Sequence, residues 1–525
     1  MISQSLGSRL ARARSGSTRR TLAMRMPTLQ SLKSDDQVRE ESARVERARA
    51  FIDSSPEPFH CVETVSSILA GKGSSALDED DLWKANNRLK RGGKYYYTRN
   101  KSSIVAFTVG EKFEAGNAFK IIGAHTDSPN LRVKPKSKRS GSGCDQVNVQ
   151  TYGGGLWGTW FDRDLSVAGR VIVRGSGSGG FETKLVKIDR PILQIPSLCI
   201  HLRTPKERDC MEINKETHLI PILASEVAKS LEKKVGDGVV KDGKDEDDSN
   251  ADDECQWKAG QSTELMRVLS EELACSPDDI VDFELSLFDT QGVATTGSRQ
   301  EYMTGSRLDN LASCFVAVET LVDHATEALA DDAEVSMIAL FDHEEVGSNS
   351  NTGAGSPIMR DAVSRISACF TEGSEDSEVF KVSLAKSMIF SVDMAHAVHP
   401  NYASKHEKEH SPQMNAGIVI KSNANQRYAT TGVTAFLTRE IARRACVPIQ
   451  EFVVRNDCPC GSTIGPIITS NTGIRAIDLG MPQLSMHSIR ETMGLSDLTF
   501  AYKLFREFFL QFTEIDSSVR VDKTM

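Results

Sequence analysis

Apolar positions from Asp36 to Ile52 (DQVREESARVERARAFI) recur at helical spacing behind an acidic first turn, which predicts a helix. SPEPFHCVETVSSILAGKG then reads as a turn and a second helix, stopped at Gly71 or Gly73. KYYYTRN and SSIVAFTVG are strand-like runs, and FKIIGAHTDSPN is an unbroken apolar strand that halts in polar, turn-forming residues. α/β proteins carry their chemistry at such carboxyl ends of strands. From about Leu131 to Cys199 the pattern changes to short alternating runs (QVNVQTY, VAGRVIVRG, KLVKIDR), which predict an antiparallel β insert. From about Pro277 the strand–helix alternation returns. DIVDFELSLFD, VSMIALFD and AKSMIFSVDMA read as strands, RLDNLASCFVAVETLVDHA and TGVTAFLTREIARRA as helices, and IRAIDLGMPQLSMHS as strand-like material before His487. FAYKLFREFFLQF closes the chain as an amphipathic helix whose Phe-rich face suits core or subunit packing. The predicted class is α/β, a mixed sheet flanked by helices in two pieces, 35–129 and 280–525, interrupted by a β-rich domain at 130–279.

Composition sharpens this picture at three places. The 525 residues carry a formal charge of −9, which disfavours a nucleic-acid binder. That charge is uneven. Residues 1–34 hold seven basic residues (Arg9, Arg12, Arg14, Arg19, Arg20, Arg25, Lys33) and no acid, so the rest of the chain carries −16. This leader reads either as an organellar transit segment, mitochondrial or other, or as a basic tail on a cytoplasmic protein. Residues 241–254 (KDGKDEDDSNADDE) hold eight acids and two lysines, which reads as a solvated loop. No apolar run approaches the ~20 residues needed to cross a bilayer, and no membrane partner is expected. The 11 cysteines include no CxxC pair, only Cys458-Pro-Cys460, and read as reduced, mostly structural thiols.

Ionisable residues end several of the predicted elements. His125 and Asp127 follow FKIIGA, Asp309 opens a helix, Glu344 and Glu345 follow VSMIALFDH, Asp393 follows MIFSV, and His487 follows LSM. A single terminal Asp is commonly a helix cap. Two His and several carboxylates at one sheet edge suit zinc or a similar divalent ion, and their number suits two ions sharing a carboxylate. Asp127, two residues from His125, could hold its second ring nitrogen. Adjacent Glu344 and Glu345 would diverge on extended backbone, one toward metal and one toward substrate as a general base. There is no serine elbow, and Gly153–Gly154–Gly155 reads as a loop, not a phosphate cradle.

IIGAHTDSPNLRVKP, SRLDNLASC, DHEEVGS, SVDMAHAVHPNY, VRNDCPCGSTIGP and QLSMHSIRE, in this order, resemble the aspartyl aminopeptidases of the M18 metallopeptidase family. The resemblance runs from about residue 36 to the C terminus. It implies a two-zinc aminopeptidase that removes N-terminal Asp or Glu from peptides, built as a metallopeptidase domain with an oligomerisation insert in a homo-dodecamer. His125 and Asp393 would hold one zinc, Glu345 and His487 the other, and Asp309 would bridge them. Glu344 would be the general base and Asp127 would orient His125. His396, Lys421 and Tyr428 would contact the substrate, and His201 would reach a neighbouring subunit's site. A broader-specificity two-metal aminopeptidase, or a non-catalytic scaffold of the same fold, stands as the alternative.

Overall fold

The computed structural model describes residues 35–175, 180–226, 253–372 and 376–519. The basic leader and nearly all of the acidic 241–254 stretch lie outside the described residues. The helix expected at Asp36–Ile52 spans Asp35–Asp53, and from Arg44 onward the described chain is one compact unit. The second helix, Pro58–Gly71, ends at the expected glycine. Its N terminus is capped by the Glu57 carboxylate, which accepts from the N–H groups of Phe59 and His60.

The principal sheet has nine strands. Its middle is formed by Val335–Phe341, Phe119–His125, Met388–Val392 and Arg475–Gly480, all mutually parallel, with antiparallel strands beyond them on both sides. Phe119–His125 and Val335–Phe341 are buried at every position, because helices cover both faces of a sheet whose side chains alternate in direction. Ile122 and Ala124 point into one apolar layer with helices Leu308–Glu327 and Leu495–Ser518, whose Phe505, Phe508, Phe509 and Phe512 form its floor. Phe119 and Ile121 point into the other, against helices Ile358–Phe370 and Ile464–Thr472. The Phe-rich face of the closing helix is therefore core.

A second sheet of six antiparallel strands is built from Asn130–Gly141, Cys144–Tyr152, Leu165–Arg174, Phe181–Lys187, Ile222–Ser225 and Ile280–Asp289. The last of these departs from the sequence expectation. The sequence pattern places residues 280–289 in the resumed alternation. Instead they pair along their length with Leu165–Arg174, so the return to the principal sheet falls after Asp289. Local pattern could not decide this, since an apolar strand fits either sheet equally well. A third sheet went unread: Ala294–Thr296, Tyr302–Gly305, Glu491–Gly494, Pro482–Leu484 and Ala395–His396 are strands of two to four residues.

The end of the principal sheet remote from the chemistry holds a buried ionic knot. Lys120 Nζ lies 2.9 Å from Asp332 Oδ1 and donates to the carbonyl of Phe509, while His324 Nε2 lies 2.7 Å from Asp332 Oδ2. Burial alone would raise the Asp332 carboxyl, but the His324 hydrogen bond and the Lys120 charge outweigh it and hold the carboxyl below its usual range. A depressed carboxylate contributes stability that is present above its unfolded pKa of about 4 and is lost as pH falls below that value. Asp332→Asn should therefore cost roughly 3 kcal/mol near pH 7, as expected for breaking a buried pair. In urea titrations the gap to wild type should narrow below about pH 4; a pH-independent gap would show that the charge is not what matters.

Candidate metal centre

Parallel pairing delivers the site residues to one edge. The register sets Phe341 opposite His125 on one side and Ser391 opposite Gly123 on the other. Glu344, Glu345 and Asp393 therefore leave the sheet beside His125. Asp309 arrives from below, at the start of helix Leu308–Glu327. It does not cap that helix: no side chain does, and Asp309 itself has non-helical dihedrals. His487 follows strand Pro482–Leu484 with a left-handed φ of 65°.

Two donor triads result, sharing Asp309. His125, Asp309 and Asp393 form one, and Asp309, Glu345 and His487 form the other. His125 Nε2 stands 3.3 Å from Asp309 Oδ1 and 3.5 Å from Asp393 Oδ1. His487 Nε2 stands 3.2 Å from Glu345 Oε1 and 3.7 Å from Asp309 Oδ2. Despite these short approaches, Asp309 Oδ1 and Glu345 Oε1 are buried with no properly aligned hydrogen-bond donor. Atoms bound at about 2.0–2.1 Å to one tetrahedral zinc stand roughly 3.3–3.4 Å apart. The observed separations are thus those of ligands around a cation, and the donor set fits zinc.

The electrostatics agree. Burial raises Asp309 above its ordinary value and Glu344 well above its own, and raises Glu345 to about 7. Burial would lower His487, but the close Glu345 carboxyl and the other carboxyls around it raise it to about 10. Acids that resist ionising, beside histidines that hold protons, mark a pocket short of positive charge.

Asp127 is wholly buried, and its carboxylate accepts from Tyr152 Oη at 2.7 Å and from the N–H groups of Glu344 and Glu345, each at 3.1 Å. His125 Nδ1 lies 3.5 Å from its Oδ1 but makes its hydrogen bond, at 2.9 Å, to the Asp127 carbonyl. Asp127 is expected to orient His125 through its carboxylate; its main-chain carbonyl makes the hydrogen bond instead, and the carboxylate seats the glutamate pair. Nor is that pair on extended backbone. Glu344–Val346 is a single 3-10 turn with His343 and Gly347 left-handed on either side. Glu344 and Glu345 both reach the site, forming a further donor cluster with His125.

The expected substrate contacts divide. Lys421, buried, lies 3.2 Å from Asp393 Oδ2 and donates to the Met394 carbonyl at 2.8 Å. Tyr428 lies beneath its ammonium, 5.6 Å from the ring centre, and Phe452 packs against both Tyr428 and His396. His396 is exposed, yet desolvation by its neighbours together with the Lys421 charge lowers its pKa to about 4. His201 lies elsewhere, exposed on the turn Ile200–Leu202. His399, His406 and His410 bond within their own loop.

The glycine run expected as a loop is one, but its role at the site is not legible in the sequence. His487 Nδ1 donates to the Gly154 carbonyl at 3.0 Å, which leaves Nε2 to face Glu345 and Asp309. Gly153 has φ +74°, and a Cβ there would meet Glu345 Cβ at 3.3 Å, so the loop threads past the site only without side chains. Tyr152 just before it, which bonds Asp127, was missed as well. A Gly-rich run following an alternating strand was the available signal.

Comparison with known proteins bears on these observations. Residues 51–509 match the family model of the aminopeptidase I zinc metalloproteases, M18. The chain is 46% identical over 478 residues to a probable aspartyl aminopeptidase of Ricinus communis, covering 90% of this chain and 96% of the relative. It is likewise 46% identical over 471 residues to the aspartyl aminopeptidase of Dictyostelium discoideum, covering 89% and 96%. Among solved structures, one chain of an Ape4–Nbr1 complex superposes with a TM-score of 0.85 at 39% identity, covering 93% of this chain and 90% of that one. The Saccharomyces cerevisiae mApe1 dodecamer gives 0.76 at 28%, covering 91% and 99%. A match across most of the chain, joined to a donor set that fits zinc, places this protein in the M18 family of zinc metalloaminopeptidases.

Proposed function

We propose that this protein is a two-zinc aminopeptidase that removes N-terminal Asp or Glu from peptides. The observation that carries the reading is the pair of donor triads joined through Asp309, with Glu344 at their side. His125, Asp309 and Asp393 would hold one ion, and Asp309, Glu345 and His487 the other. When bound, the ions supply Lewis acidity, lowering the pKa of water and stabilising charge on the scissile carbonyl oxygen. Glu344 takes the proton of the attacking water and passes it to the departing peptide amine, so its carboxyl is unchanged after each turnover. Asp127 keeps the Glu344–Glu345 turn seated while that proton moves.

Lys421 supports the acidic preference. An ammonium has three donors, and the Asp393 and Met394 contacts use two, leaving one for a substrate carboxylate. The same pairing favours a second reading, broader specificity, because Asp393 already offsets the charge. The relatives named above as aspartyl aminopeptidases support the first. Assembly into a dodecamer like that of mApe1 is proposed with it. Leu198, Ile200 and Leu202 are 51%, 53% and 71% exposed around His201, a surface suited to a second copy, to which His201 would be supplied.

The test compares chromogenic peptides bearing Asp, Glu or Leu at the N terminus, with and without a chelator. Release of Asp and Glu, abolished by the chelator, is expected. Equal or faster release of Leu would overturn the acidic preference, and indifference to chelator would overturn the metal reading. In the same assay His201→Ala should keep its zinc and lose most turnover; undiminished activity removes the shared-site idea.

A further inference from the structure

We propose that Glu491 is a positioning residue of the metal centre, one carboxylate that holds the backbones of two ligand residues from distant parts of the chain. Glu491 Oε2 accepts from the N–H of Asp309 at 2.9 Å, and Oε1 accepts from the N–H of His487 at 2.7 Å. Glu491 is 2% exposed and belongs to none of the donor clusters. The inference rests on the two-metal reading above.

The arrangement follows from strand register. Glu491 opens the strand Glu491–Gly494, which pairs antiparallel with Tyr302–Gly305 and sets Glu491 opposite Gly305. From that point each chain runs on to a ligand residue: Gly305 leads forward to Asp309, and Glu491 leads back to His487. The carboxylate lies where the two segments separate, between two main-chain amides that no regular element satisfies. Asp309 lies outside helical dihedrals, and His487 is left-handed. Asp309 is extended at the point where its helix begins, so its N–H has no intrahelical partner, and the left-handed conformation of His487 is sparsely populated and needs outside support. Two hydrogen bonds of normal length from the buried carboxyl group supply it. The Arg307 side chain lines the same small cavity as Glu491 and is itself fixed by the carbonyls of Ser55 and Ile52. Asp309 and His487 belong to one triad, so fixing their backbones fixes the separation of two of the three donors around one ion.

Glu491→Gln keeps size and shape, but an amide offers one acceptor and presents an N–H₂ to the other backbone donor. Zinc affinity of the full chain is measured by competition with a chromophoric chelator, alongside melting of the metal-free protein. We expect the more weakly held zinc to bind about 10- to 100-fold less tightly in Glu491→Gln, the range for outer hydrogen-bond partners of metal ligands. Excess zinc should then restore kcat toward wild type. Glu491→Asp keeps both carboxyl oxygens but withdraws them by one methylene, and should weaken zinc by a smaller factor. Zinc affinities within twofold of wild type in both variants would overturn the proposal. So would a Glu491→Gln protein that cannot be folded at any zinc concentration, which marks a purely structural residue. A wild-type chain that binds fewer than two zinc ions would instead contradict the two-metal reading, leaving the variant-to-wild-type ratio to judge Glu491.

Discussion

Glu344→Gln is expected to lower kcat by about 10²- to 10⁴-fold while leaving zinc content unchanged. At 1.36 kcal/mol per decade this is roughly 3–5 kcal/mol of lost transition-state stabilisation. The separation of the two readouts follows from the geometry. Neither of the triads that share Asp309 includes Glu344, and the Glu344 backbone is held by Asp127 irrespective of its side chain. An amide of the same shape can occupy the same space but cannot accept the proton of water. Burial also raises the carboxyl of Glu344, aided by the charges of Asp393 and Glu345 and opposed by His125, which brings its basicity closer to that needed at neutral pH. Steady-state kinetics with metal analysis decides the matter. A variant that loses zinc in proportion to activity would make Glu344 a ligand and leave the general base to be found elsewhere.

Asp309→Asn should have the larger effect on the metal. Asp309 is the one residue common to the two triads, and an amide cannot present two equivalent oxygens to two cations. Zinc content should fall to one ion per chain or fewer, and activity by at least ~10³-fold. The metal-free variant should nevertheless melt no lower than metal-free wild type. In wild type, burial and the Asp393 charge raise the Asp309 carboxyl, and its Oδ1 has no aligned donor, so the charge is a cost to the apo fold. Retention of two zinc ions would show that Asp309 does not bridge. A markedly lower melting point of the apo variant would show that it serves the fold instead.

Much of this site was legible in the chain. FKIIGAHTD announces a buried strand and its polar end in nine residues, and VSMIALFDHEE does the same. Parallel neighbours then had to bring those ends together, because both faces of such strands must be covered by helices. What escaped was whatever depended on pairing across sequence. Glu491 is 182 residues from Asp309, and nothing in HSIRE reveals that its carboxylate reaches SRLDN. Residues 280–289 carry an apolar pattern that suits either sheet, and only the neighbouring strand settles which. The backbone of the Glu344–Glu345 pair was misread because a single 3-10 turn has no periodicity to detect. Gly154 contributes a carbonyl rather than a side chain, and so leaves no mark of its own in residue type.

The zipper between the glycine loop and the His487 loop bears on how this family can vary. Besides Gly154 accepting from the His487 ring, the Leu156 N–H donates to the His487 carbonyl, Ile489 N–H donates to Thr159 Oγ1, and the Ile489 side chain packs in the core of the six-stranded sheet. That sheet is therefore not an accessory that could be trimmed away to leave a working minimal peptidase. The short segment from Tyr152 to Thr159 is held by the residues of the site, so a change in that segment reaches the chemistry directly.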